Sequence, residues 1–117
     1  MSDTTIRGLV RAIQVEIRDT PDLLPDRAAA LLNKLSSLLG NINDQIRDSD
    51  LAYSNVLLVH LEQETKANRA TIRAETTPEF IRKREARDTK ELALELIRSL
   101  KYFLNAKREE FRYVGHQ

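Results

Sequence analysis

The sequence predicts an all-α fold: a long antiparallel helical hairpin or coiled-coil-like bundle with a short N-terminal helix. Three observations predict it. Glycine and proline, the residues that interrupt helices, number only three each in 117 residues. Apolar residues recur every three or four positions through most of the chain, which lines them along one face of a helix. Strand signals are missing, because the one β-like run, Val56-Leu57-Leu58-Val59, has helical flanks.

The first helix is expected over about 3–18. Ser2 or Asp3 is placed to cap it, since a short side-chain oxygen satisfies a free N–H of the first turn. Ile6, Leu9, Val10, Ile13 and Ile17 form its apolar stripe, and Gly8 weakens it by roughly 1 kcal/mol relative to Ala. Pro21 and Pro25 then hold the chain out of helix, because residues preceding proline avoid the α region. Leu23 and Leu24, between them, are expected to pack.

A second periodic stretch runs over about 26–74. Its stripe includes Leu31, Leu35, Leu39, Ile42, Ile46, Tyr53, Val56, His60 and Ala67. One continuous helix is the favoured reading, with Gly40-Asn41 and Asp48-Ser49-Asp50 as the two places where a break would fall. Thr77-Pro78-Glu79 is the clearest punctuation in the chain. Thr77 suits an N-cap, Pro78 the first helical position, and Glu79 the positive helix end. The last helix is expected over about 78–113, charged in its first half and apolar in its second, with Phe103 and Phe111 as core. The helices on either side of Pro78 are expected to fold back on one another.

Length allows one helical domain over 1–117 with a modest core. Charged residues are 32% of the chain and no apolar run reaches membrane-spanning length, so a membrane role is not expected. The N-terminus carries no apolar core of signal-peptide length, and the expected compartment is the cytoplasm. Absence of cysteine removes disulfides, thiolate catalysis and cysteine-ligated zinc.

No arrangement for catalysis is evident. Glu62, Glu64, Glu91 and Glu95 lack the E-x-x-E spacing of helical magnesium-dependent nucleotide hydrolases. His60 and His116 have no matching metal-ligand spacing, and no phosphate loop or nucleophile elbow occurs. The expectation is a binding protein without metal or cofactor, not an enzyme.

Two features point to binding. The first is charge. Residues 1–60 hold six Lys/Arg against eight Asp/Glu, whereas 61–117 hold thirteen against ten. Lys66, Arg69 and Arg73 share a helix face, and Arg82, Lys83, Arg84 and Arg87 follow just after Pro78. Such a cluster can neutralise phosphates, or it can be a solvated face laced with pairs such as Arg84–Asp88 and Arg87–Glu91. A second set, Arg98, Lys101, Lys107, Arg108 and Arg112, is accompanied by Tyr102 and Tyr113. The second feature is the long stripe itself. Leu35, Leu39, Ile42, Ile46, Tyr53, Val56 and His60 are expected to leave apolar surface for another copy or a partner, because two short neighbours cannot cover so long a helix.

Leu61, Thr65, Lys66, Ala67, Arg69, Ala70 and Arg73 before Pro78, the charged run 82–88 after it, and Leu96, Leu100 and Lys107 beyond that have a familiar layout. It resembles that of small helical phage proteins similar to the recombination mediator of T-even phages. The resemblance covers roughly half the chain, and the first helix has no counterpart in it. It implies an oligomeric accessory protein that binds single-stranded nucleic acid, with Lys66, Arg69, Arg73, Arg82, Lys83, Arg84 and Arg87 as phosphate contacts and a recombination role in a host cytoplasm. The alternative is a helical adaptor or inhibitor that presents an apolar face to another protein.

Overall fold

The computed structural model describes residues 5–115, and for 113–115 the backbone alone. The caps expected at Ser2 and Asp3, the side chain of Tyr113, and His116 lie outside the described residues. Among those described there are four helices and no strand: α1 Ile6–Asp19, α2 Pro25–Gln63, α3 Ala67–Ala74 and α4 Pro78–Gly115.

Each boundary has a local cause. Thr5, in extended conformation, caps α1 by accepting the Gly8 N–H at 3.0 Å. Pro25 opens α2 at its first turn with Asp26 beside it, where a missing N–H costs nothing. Leu23 packs against the core, whereas Leu24 is exposed and does not pack as expected.

α2 passes through both suspected breaks. Gly40 is exposed and helical, and nothing lies within 4 Å of where its Cβ would sit. A Gly40→Ala variant is therefore expected to be more stable by about 0.5–1 kcal/mol, seen as a higher urea midpoint. At the polar patch the Ser49 hydroxyl turns back to the Ile46 carbonyl at 3.1 Å. Asp50 Oδ2 accepts from Arg87 of α4 at 2.6 Å, while Asp50 Oδ1 is buried without a hydrogen-bond partner, and the helix runs on through the patch.

The break comes instead at Glu64-Thr65-Lys66. Glu64 and Lys66 are extended, and α3 runs back along α2 with Ala70 and Ala74 fully buried. This corrects both the single helix over 26–74 and the fold-back at Pro78. The chain reverses at 64–66, and Pro78 restarts a helix that continues along α2. Phe80 N–H donates to Thr77 Oγ1 at 3.4 Å there, the N-cap expected from sequence.

α2 and α4 are antiparallel. Tyr53 meets Phe80, Asp50 meets Arg87, and Pro25 and Ala29 lie beside Leu104 and Phe111. The result is a rod of 75 × 32 × 20 Å with a radius of gyration of 20.0 Å. A compact chain of this length would have a radius of gyration of about 13 Å. The rod has two parts. In the body, α1 lies on α2 and α4 around a core that includes Val10, Ile13, Leu35, Ile42, Ile97 and Leu100. In the arm, among the described residues, the last third of α2 is covered by α3 and the start of α4.

Two ion pairs fasten α1. Arg7 reaches Glu85 of α4 at 2.9 Å, and Arg27 of α2 donates twice to Glu16, at 2.6 Å each. The Arg27 hydrogen bond holds the Glu16 carboxyl below its usual range against a smaller opposing effect of burial. A lowered folded value contributes stability above the ordinary glutamate value of about 4.3, and that contribution disappears as pH falls through the folded value. Amides of α1 are expected to lose hydrogen-exchange protection below about pH 4 before those of mid-α4. An Arg27→Met variant should lack that step, and equal loss in both helices would refute the assignment.

Candidate nucleic-acid interface

The seven cations expected at phosphates all lie on the arm or at its junction with the body. They fall into three groups by what they touch. Arg73 and Arg87 are already neutralised, Arg73 by Glu64 at 2.8 Å and Arg87 by Asp50 at 2.6 Å. Lys83 and Arg84 lie over aromatic faces. Lys83 Nζ is 4.4 Å from the centre of the Tyr53 ring, and the Arg84 guanidinium is 5.9 Å from that of Phe80. Lys66, Arg69 and Arg82 are exposed and make no ion pair among the described residues. The intrahelical pairs Arg84–Asp88 and Arg87–Glu91, expected of a solvated face, do not form; Arg87 reaches across to α2 instead.

The aromatic pair organises this region. The Tyr53 and Phe80 rings are 5.4 Å apart and tilted by 47°. Tyr53 is buried, and burial, with the nearby Glu75 charge second, raises its hydroxyl above the ordinary tyrosine value. Its ring faces Phe80 and Lys83, so it is a packing element and not a platform for bases. Beside it, Arg82 lines a cleft of about 430 Å³ with Arg7, Gln45, Asp48 and Glu85. That lining is of mixed charge.

The stripe residues assigned to an interface are largely spent inside the chain. Leu35 and Ile42 are wholly buried in the body, Tyr53 is buried in the arm, and Leu39 and Ile46 pack on the core. The physical reason is the length of α4. At 38 residues it matches the 39 of α2 and covers the stripe that two short neighbours would have left open. Leu35, Ile42 and Tyr53 therefore offer no surface to a second copy. Val56 and His60 are half-buried, and His60 Nδ1 is buried without a hydrogen-bond partner.

The second basic set lies on the second half of α4. Lys107 and Arg112 pair with Glu110 and Glu109, and Tyr102 is 79% exposed. Phe111, expected in the core, is 82% exposed because it lies at the rod's open end, beyond the cover of α1.

Of the acidic residues once weighed for metal, Glu64 is taken by Arg73. No group of three or more His, Cys, Asp or Glu among the described residues could hold a metal ion. No described helix is long and apolar enough to cross a membrane. Comparison of the chain with protein-family models, with curated proteins and with solved structures gives no match.

Proposed function

We propose that this protein is a non-catalytic, oligomeric helical accessory protein of phage type that binds single-stranded nucleic acid along its arm in the cytoplasm, in the manner of a recombination mediator. One observation carries the reading. Lys66, Arg69 and Arg82 stand exposed with no ion pair among the described residues, along an arm where Arg73, Lys83, Arg84 and Arg87 are fixed in place by carboxylates or rings. Fixed cations shape the surface, and free ones gain by meeting phosphates, where released counterions drive binding. The spread from Lys66 at the tip to Arg82 at the cleft is roughly 20 Å by helix rise, enough for several phosphates of one strand.

The test is fluorescence anisotropy of a labelled single-stranded oligonucleotide across a salt series. Three neutralised phosphates at about 0.7 each in log–log slope give roughly a twentyfold loss of affinity between 50 and 200 mM salt. Absence of binding at low salt, or an affinity flat across the series, would overturn the proposal.

A second reading is favoured by a different observation. Leu51, Leu58, Val59, Leu61, Ile72 and Ile81 are exposed, most of them on the arm. Apolar surface of that kind is what an adaptor or inhibitor offers to another protein. An arm indifferent to nucleic acid would favour this reading.

A further inference from the structure

We propose that the outward face of α2 over 47–62 is the surface through which two copies of this chain pair, antiparallel and about a two-fold axis beside Ser54 and Asn55. This deepens the oligomeric part of the function proposed above and rests on it.

The last third of α2 is apolar on both sides. Tyr53, Val56, Leu57 and His60 face α3 and α4 and are buried or half-buried. Leu51, Ser54, Leu58 and Leu61 follow three-four spacing on the opposite face, the register of a coiled-coil seam. Leu51 is 62% and Leu58 55% exposed. Large apolar side chains on an outer helix face, set among polar ones, mark a surface that gains by burial against another chain. Among the described residues the chain covers one side, with α3, eight residues long, packed through its buried alanines.

Charge selects the occupant. Arg47 lies one turn before Leu51, and Glu62 one turn after Leu58. In its own chain Arg47 has only long contacts, 3.7 Å to Asp44 and 3.5 Å to Asp48, and Glu62 has no ion-pair partner among the described residues. A second copy laid antiparallel about Ser54 and Asn55 puts Leu51 on Leu58 and Arg47 on Glu62, each contact occurring twice by symmetry. A parallel copy would set Arg47 against Arg47 and Glu62 against Glu62. Small Ser54 at the crossing lets the helices approach to a normal interaxial distance of about 8–10 Å.

The test uses the full chain without nucleic acid, by sedimentation equilibrium. The expected species is a dimer that Leu51→Asp with Leu58→Asp converts to a helical monomer. Arg47→Glu alone is expected to weaken it by about tenfold, through two like-charge contacts, and adding Glu62→Arg should restore it. The chain has no cysteine, so cross-linking gives a readout that does not depend on charge. Ser54→Cys, next to the axis, should oxidise to a covalent dimer. Ser36→Cys, on the order of 55 Å from its symmetry mate by helix rise, should not. A monomer at every concentration would overturn both this surface and the oligomeric part of the function. An oligomer that ignores the leucine changes, is not rescued by the charge swap, or fails to cross-link through Ser54→Cys would overturn this surface alone.

Discussion

Leu35→Ala is expected to destabilise the protein by about 3 kcal/mol, within the 2–5 kcal/mol typical of buried leucines. Leu35 has no exposed surface and shares its cluster with Val10 and Ile13 of α1, Leu31 and Ile42 of α2 and Leu100 of α4. Removing its isobutyl group loses transfer free energy and leaves a cavity that three straight helices cannot close. With a urea dependence of about 1.5 kcal/mol per M, the midpoint should fall by about 2 M. Leu24→Ala, at a 69% exposed position, should stay within about 0.5 kcal/mol of the parent. Protein concentration makes the experiment diagnostic. A residue buried within one chain costs the same at any concentration, whereas a residue in a subunit interface costs nothing where both proteins are monomers and more as mass action favours assembly. A Leu35→Ala penalty that grows with concentration would return this residue to an interface.

Much of the fold was legible because it rests on period and punctuation. The stripe Ile6-Leu9-Val10-Ile13 and the trio Thr77-Pro78-Glu79 depend on local spacing, and local spacing survives folding. The reversal at 64–66 was not read because it uses neither Gly nor Pro. Its trace is an absence: between Leu61 and Ile72 no large apolar residue occurs, so nothing there can extend the stripe. Gly40 and Asp48-Ser49-Asp50 misled in the opposite direction. Tertiary packing keeps α2 helical through Gly40, and Arg87, thirty-seven residues from Asp50, holds one oxygen of a patch that looks like a cap in isolation. The candidate site was legible as a list of cations but not as a division of labour. Which cations are free depends on Glu64, Asp50, Tyr53 and Phe80, and that division appears only when α3 and α4 lie along α2.

That division leads to the sharpest functional expectation. Reversing Lys66, Arg69 and Arg82 together, as Lys66→Glu, Arg69→Glu and Arg82→Glu, should abolish most nucleic-acid affinity while leaving the helices intact. None of the three holds an ion pair among the described residues, so their loss breaks no internal contact of that kind. Counterion release, referred to 1 M salt, makes each phosphate contact worth a factor of about 8 at 50 mM, so loss of three costs about 500-fold. The log–log salt slope should fall by about 2 units in the same experiment, a change that misfolding would not mimic if the circular dichroism is unaltered. The reversal of Arg98, Lys101 and Arg108 on the second half of α4 is the matched control, with the same change in net charge away from the arm. If it does the greater damage, long-range charge or the Tyr102 face accounts for binding and the arm does not. If the arm variant alone loses affinity and slope, the free cations are the contacts, and the paired Arg73 and Arg87 are their scaffold.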